Sequence, residues 1–322
     1  MPAALEGIRI LDLTRLLPGA VATEWLAEFG AEVIKVEQPS SAERESYPAV
    51  FEQTNRGKKS VEIDLKVDKD RFLKLAASAD VLIEGNRPGV MERLGLGYET
   101  LRTVNPRLIY VALTGYGSEG PYASFAGHDV NYLAMSGVLD AIGPAVVPNV
   151  PLADLAGGSM QAVIGILLAI QARYRTGLGQ RVDISMTDGS TALLPVASAG
   201  GLNLLSGQFA CYHVYPAAEN TFVAVGALEP KFWSNLCREL GLEELIAQQY
   251  VEDQAPVVQA IERVLATAPA EEWFDRLGAK DCCLTPVRSA AHGAPQTPKL
   301  SETPRSALAR APRLGEHNEE LL

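Results

Sequence analysis

The order of predicted elements in the first third of the chain constrains the fold more tightly than any other feature. Short apolar, β-branched runs at Ile8–Leu13, Glu32–Glu37, Val81–Ile83 and Leu108–Leu113 read as strands. Helical patterns fill the gaps. Ala20–Phe29 places Trp25, Leu26 and Phe29 on one face; Arg71–Ala79 follows; Glu92–Val104 is helical, with breaks at Gly95 and Gly97. Strands separated by helices of about ten residues imply βαβ units and a mostly parallel sheet. The apolar strand cores suit a sheet covered on both faces.

Residues 114–153 are rich in glycine and proline and read as loop. A stretch that long inside a domain is either functional or hides elements of its own. A long helix over Gly158–Arg175, ended by Gly177, and a strand at Arg181–Ser185 follow. Residues 196–210 are rich in Gly, Ala and Ser and read as a linker. A second unit comes next, with strands at Phe222–Val225 and Cys283–Val287. Its helices fall over Pro230–Leu240, Val257–Thr267 and Ala270–Leu277. Residues 291–313 are polar, hold four prolines and read as extended.

Composition removes several classes of function. The 322 residues are 47% hydrophobic and 21% charged, which excludes a disordered, collagenous or coiled-coil chain. The net charge of −11 argues against a nucleic-acid partner, because phosphate-backbone binding needs clustered positive charge. Cysteines at 211, 237, 282 and 283 form no C-x-x-C, and the four histidines form no H-x-x-x-H pair, so no metal site is expected. The first residues carry no basic segment. The most apolar stretch, Ala162–Ile170, is nine residues, short of a membrane span. The expectation is a cytoplasmic protein with reduced thiols and no membrane partner.

The turn after the first strand, Asp12-Leu13-Thr14-Arg15-Leu16-Leu17-Pro18-Gly19, holds one glycine. The G-x-G-x-x-G of dinucleotide binding is therefore missing, and no Walker motif occurs elsewhere. Two basic turns stand out in this acidic chain: Asn55-Arg56-Gly57-Lys58-Lys59-Ser60, and Asn86-Arg87-Pro88-Gly89 after a strand end. Each reads first as a solvated turn, with an anion site as the alternative. His128 and Asp154 are the sharpest pair. By sequence chemistry alone Asp154 is a helix N-cap and His128 a satisfied loop histidine. The functional alternative is an acid/base pair at a helix N-terminus whose N–H groups hold a developing oxyanion.

The residues then become recognisable. Gly19-Ala20, Gly30-Ala31-Glu32-Val33-Ile34-Lys35-Val36-Glu37, the Asn55–Ser60 turn and Ile63-Asp64-Leu65-Lys66 occur in order. So do Glu84-Gly85-Asn86-Arg87-Pro88-Gly89, Glu92-Arg93-Leu94-Gly95-Leu96-Gly97, Ala224-Val225-Gly226-Ala227-Leu228-Glu229-Pro230 and Leu314-Gly315-Glu316-His317. Together they resemble the family III CoA-transferases, and within them the α-methylacyl-CoA racemases, nearly end to end. The resemblance implies an α/β fold with a Rossmann-like large domain, a mostly parallel sheet and a smaller α+β domain. It implies a large domain over 1–195, a linker over 196–212, a small domain over 213–305 and a tail, 306–322, returning to the large domain. An interlocked homodimer is also implied, with an acyl-CoA thioester as substrate and no separate cofactor, because CoA is part of the substrate.

Asp154 matches the family's catalytic aspartate. In transferases that residue attacks the thioester; in racemases it is a general acid/base, opposed by the histidine of a G-H-D-x-N-Y motif. Gly127-His128-Asp129-Val130-Asn131-Tyr132 carries that motif intact, and no glycine-run loop of the transferase type is present. Both features favour 1,1-proton transfer at the α-carbon. A transferase using Asp154 as nucleophile, or an inactive CoA-binding homologue, is the alternative. Backbone N–H groups at the helix start near Asp154 are expected to hold the enolate oxygen. Glu229 matches a residue supporting the histidine. The resemblance places CoA along Ile63, Asp64, Leu65 and Lys66, at Gly85, Asn86 and Arg87, at Arg93, and against Gly127, Asp129, Val130, Asn131 and Tyr132. Tyr132 is expected as a wall of the acyl pocket. The family's arginine after the second strand is Gln38 here, which predicts weaker CoA binding unless Lys35 or Arg56 substitutes. The chain is also shorter than usual at 196–203 and 291–305, and it carries Ser206 and His213 where racemases often have acidic residues.

Overall fold

Strand β1 (Arg9–Leu13) feeds two cores at once: Ile10 packs on one face of the sheet, Leu11 and Leu13 on the other. Strands β4 (Val81–Glu84) and β5 (Ile109–Thr114) do the same. Val81, Ile83, Val111 and Leu113 face one way, and Leu82, Tyr110 and Ala112 the other. A side-chain period of two explains how near-continuous apolar runs serve a sheet buried on both sides. With β2 (Glu32–Glu37), β3 (Lys59–Glu62) and β6 (Arg181–Ser185), these strands form a six-stranded sheet of order β3-β2-β1-β4-β5-β6. Every pair is parallel.

The computed structural model describes residues 2–15, 17–39, 44, 46–143, 145–195, 204–289 and 298–322. The chain divides into two units, Met1–Leu194 with Thr297–Leu322, and Pro195–Gln296. In the larger unit, helices Leu17–Glu28 and Gln161–Thr176 cover one face through Ala22, Leu26, Ala162, Ile166 and Ile170. Helices Lys69–Ala77, Val90–Arg93 and Tyr98–Val104 cover the other through Phe72, Leu75, Met91 and Leu101.

Residues 315–320 lie against the outer edge of β3. Asn318 Oδ1 accepts from Glu62 N–H at 2.9 Å, and His317 Nδ1 accepts from Ser60 N–H at 3.1 Å. The tail thereby satisfies edge groups that would otherwise be open to a foreign strand.

The smaller unit holds an antiparallel sheet of order β7-β8-β9 (Tyr212–Pro216, Phe222–Gly226, Leu284–Pro286). Helices Pro230–Glu239, Ala255–Leu265 and Ala270–Leu277 complete it. Trp233 and Trp273 fill its core and satisfy their indole N–H groups on Leu245 O and Leu265 O. His213 points its Nδ1 at Gly207 O and stacks edge-on against Tyr215.

Three expectations change. The stretch 114–153 contains helices Asp129–Ser136 and Val138–Ile142, hidden by the surrounding glycines. The long helix begins at Ala153, five residues before the expected Gly158, because Gly157 and Gly158 are tolerated by packing and do not break it. Its full span, Ala153–Thr176, is long and apolar enough by length and composition alone to cross a bilayer, where nine residues were expected. Ala162, Ile166, Ala169 and Ile170 of that helix lie in the core, while Met160, Ile164, Leu167 and Leu168 are exposed. The expected linker and the shortened stretch 291–305 lie partly, and the shortened stretch 196–203 wholly, outside the described residues.

The first basic turn is not a solvated one. Lys58 and Asp12 are both 0% exposed and meet at 3.0 Å. Lys58 also donates to Ala20 O and Asn55 Oδ1, and Asp12 accepts from Thr14 N–H, Thr14 Oγ1 and Thr23 Oγ1. Burial alone would raise the Asp12 carboxyl; Lys35, Lys58 and the two hydroxyls outweigh it and hold it below the usual aspartate range. Burial pulls Lys58 down to about 8 against the attraction of Asp12. Removing one partner strands a buried charge. Asp12→Ala is expected to cost about 3–5 kcal/mol, read as a lower urea midpoint. Adding Lys58→Met should recover part of that loss, and a double variant no more stable than Asp12→Ala counts against the pairing.

Candidate active site

The strand order reverses between β1 and β4, and such a sheet opens a crevice at the C-terminal ends of its strands. Here a cavity of about 370 Å³ occupies that place. Thr14, Arg15, Pro18 and Gly19 line it after β1, Gly85, Asn86, Arg87 and Pro88 after β4, and Leu113, Thr114 and Gly115 at the end of β5. His128 and Asp154 line the same cavity, with Tyr132 and Met186.

His128 immediately precedes helix Asp129–Ser136 in extended conformation. Its N–H donates to Asn131 Oδ1 at 3.0 Å. Beneath it, Tyr132 donates to Gly127 O at 2.5 Å and packs where a Cβ on Gly115 or Gly127 would lie within 2.7 Å of its ring. Only glycine allows that approach at both positions. Burial and the Asp154 charge push the Tyr132 phenol up to about 12, so it stays a donor and a wall.

Asp154 is not the N-cap that its sequence context suggests. It stands in the first turn of a π-helical segment, Ala153–Met160, continuous with helix Gln161–Thr176. A wide turn of this kind is uncommon and recurs at functional sites. The segment is held closely by helix Met186–Thr191: a Cβ on Gly157 would lie 2.4 Å from Met186 O, and one on Gly189 2.3 Å from Gly157 O. Ser159 Oγ donates to Pro18 O at 2.7 Å, tying the segment to the turn after β1. The Asp154 N–H donates to Asp129 Oδ1 at 2.8 Å. Burial raises the Asp154 carboxyl to about 6; the Asp129 charge adds to the rise and His128 opposes it.

At this helix start the Asp154 N–H serves Asp129 and the Leu155 N–H serves Pro151 O, so neither is open to an oxyanion. Gly127, His128, Tyr132, Gly85, Asn86 and Arg87 reach the cavity; Asp129, Val130 and Asn131 of the same motif do not line it. Asn131 serves as a cap and Asp129 as an acceptor.

Elsewhere, Ile63 and Leu65 are core residues, Asp64 accepts from Lys66 N–H, and Arg93 ends helix Val90–Arg93 beside Gly89. Arg56 is held by Glu24 at 2.6 Å, and Lys35 is 1% exposed and donates to Thr14 O. Glu229 belongs to the smaller unit, where it precedes Pro230 and its carbonyl accepts from Trp233 N–H. Sequence reasoning missed Arg15 as a cavity residue. Among the described residues, neither Arg15 nor Arg87 forms an ion pair or a side-chain hydrogen bond, and no set of three metal-ligating side chains comes together.

A Rossmann-type sheet with an imidazole and a raised carboxyl in its switch-point crevice, in place of the glycine fingerprint, defines a class of α/β enzyme built for acid/base or nucleophilic chemistry. The profile of CoA-transferase family III matches residues 5–297, and the chain belongs to that family. It is 36% identical to the α-methylacyl-CoA racemase of Homo sapiens, over 99% of this chain and 92% of that one. It is likewise 36% identical to the acetyl-CoA:oxalate CoA-transferase of Acetobacter aceti, over 91% of this chain and 83% of that one. The crystal structure of Rv3272 from M. tuberculosis superposes with a TM-score of 0.85 at 29% identity, covering 99% of both chains.

The raised Asp154 carboxyl has a thermodynamic consequence. The folded protein keeps that proton to about pH 6, whereas an unfolded aspartate releases it near 4. Stability from this group is therefore lost as pH rises between those values, by roughly 1–3 kcal/mol. Asp154→Asn is expected to raise Tm by about 2–10 °C at pH 8 and by nothing at pH 4. Equal Tm values at pH 8 would contradict the raised carboxyl.

Proposed function

We propose that the protein is an acyl-CoA racemase or epimerase that moves a proton between the two faces of the α-carbon of an α-methylacyl thioester. The observation that carries this reading is the meeting of His128 and Asp154 in one cavity with the Asp154 carboxyl raised to about 6. A general acid/base works best when its pKa lies near the working pH. Imidazole changes charge in the same region. Two such groups, one on each side of a planar enolate, suffice for the reaction. In one direction Asp154 removes the α-proton and protonated His128 delivers one to the opposite face; in the other direction the roles exchange.

Arg87 and Arg15, without ionic partners at the cavity wall, suit the phosphates of CoA. The reading includes a homodimer, Glu229 as support for His128, and a cytoplasmic setting.

A second reading rests on those same two guanidinium groups, which also suit the carboxylate of a free-acid acceptor. In it, Asp154 attacks the thioester carbonyl, the carbon–sulfur bond breaks, and CoA thiolate leaves a mixed anhydride on Asp154.

Hydrogen exchange separates the two. A single enantiomer of an α-methylacyl-CoA, held with the protein in deuterated buffer without any acceptor acid, is expected to take up deuterium and lose optical purity. His128→Ala and Asp154→Ala should each slow uptake by about 10²–10⁴-fold. Hydroxylamine-sensitive acylation of Asp154 without uptake supports the transferase. CoA binding with neither chemistry would mark an inactive homologue.

A further inference from the structure

We propose that the Asp129 side chain is a positioning residue for Asp154: its carboxylate clamps the start of the helix that carries Asp154 and keeps that group poised for proton transfer. The proposal rests on the reading of Asp154 as the group that exchanges the proton. It gives Asp129 a role other than ligand contact, in keeping with its place outside the cavity lining.

The geometry is specific. Helix Asp129–Ser136 presents Asp129 in its first turn, one residue after His128. Across the chain, 25 residues on, Asp129 Oδ1 accepts from Asp154 N–H at 2.8 Å. The first N–H groups of a helix have no intrahelical acceptor. An acidic side chain from another helix therefore does here what a local N-cap does elsewhere, and the residue at the true N-cap position, Leu152, has no side-chain acceptor to offer. One short helix consequently carries both the imidazole and the clamp on the opposing acid.

The clamp also acts through its charge. Asp129 is half-buried and brings a second carboxylate against Asp154. Like charges disfavour each other's ionised form. Other charged or titratable groups face this segment from its neighbours. His128 opposes the effect, and Tyr132 stays neutral. Helix Leu17–Glu28 contributes Glu24, paired with Arg56, and Glu28, paired with Arg305. Strand β6 contributes the Arg181–Asp183 pair, helix Gln161–Thr176 contributes Arg173 paired with Asp80, and helix Met186–Thr191 contributes Asp188. Arg15 and Arg87 share the cavity. Of all these, Asp129 and His128 are the charges that act on Asp154.

The test separates the hydrogen bond from the charge. The full chain is labelled with ¹³C at aspartate Cγ, and the Asp154 resonance is assigned by its loss in Asp154→Asn. Titration of the wild type should give a midpoint of about 6. Asp129→Asn keeps an Oδ1 acceptor and removes the charge, so the midpoint should move down toward the ordinary aspartate value. The acid limb of α-hydrogen exchange should move with it. Asp129→Ala removes both, and turnover should fall by about 10²-fold with KM for the acyl-CoA little changed, as misplacement of a reacting group predicts. An unmoved midpoint in Asp129→Asn, or wild-type turnover in Asp129→Ala, would overturn the proposal. If Asp129→Ala does not fold, Asp129→Asn decides alone. The titration is read without substrate, so a wild type that exchanges no α-hydrogen defeats the racemase reading while a moved midpoint still supports the clamp.

Discussion

A carboxylate without access to water, Asp12, determines the floor of the cavity. It sits at the C-terminal end of a central strand, and it stays ionised because Lys58, Lys35, Thr14 and Thr23 converge on it. Such a cluster is an expensive way to hold a fold together, since each ion has lost its hydration. What it secures is direction. Asp12 fixes the Thr14 N–H and hydroxyl, while Lys35 grips the Thr14 carbonyl, so the chain leaves β1 along one path only. Arg15, Pro18 and Gly19 follow that path into the cavity wall, and Ser159 then joins Pro18 to the segment bearing Asp154. Backbone position at the site is thus transmitted from a buried ion pair whose aspartate lies two residues before the cavity wall.

The site also shows how one carboxylate can be kept near neutrality in an acidic chain. Asp12 and Asp154 are chemically identical and lie at the ends of elements in the same unit. One is surrounded by cations and donors and is driven down; the other is buried beside a second carboxylate and rises. Their environments push the two in opposite directions, and that separation distinguishes a structural acid from one suited to move protons. Family membership narrows the chemistry to acyl-CoA thioesters handled by racemases or transferases, and the raised carboxyl serves either, as base or as nucleophile.

Much of the sheet was legible in the sequence because period-two apolar runs separated by helical patterns have few other ways to pack. Strands β1, β2, β4, β5 and β6 fall within a residue or so of their expected bounds. The misses share a cause. Glycines at 115, 117, 120 and 127 read as loop, yet Gly115 and Gly127 are there to admit the Tyr132 ring, and helix Asp129–Ser136 begins immediately afterwards. Gly157 and Gly158 read as a helix breaker, yet they allow close approach to helix Met186–Thr191. Local patterns report what glycine permits; they do not report what a neighbouring element requires. The solvated reading of the basic turn failed at Lys58 for a similar reason. Lys58 finds Asp12 from 46 residues away, and no spacing rule encodes that partnership. His128 and Asp154 stood out in the sequence, but their functional role came from family resemblance, because the raised carboxyl depends on burial and on Asp129, neither visible from the neighbours of Asp154 in sequence.

The tail along β3 has a temporal meaning. Ser60 and Glu62 form their outer hydrogen bonds with His317 and Asn318, residues separated from them by the whole of the smaller unit. During synthesis the sheet therefore spends most of its existence with that margin open. At about 5–20 residues per second, the interval between the emergence of β3 and of its cover lasts on the order of ten seconds or more. Over that time the nascent sheet presents an unpaired strand to neighbouring chains on the same message, and the emergence of His317 and Asn318 ends the exposure.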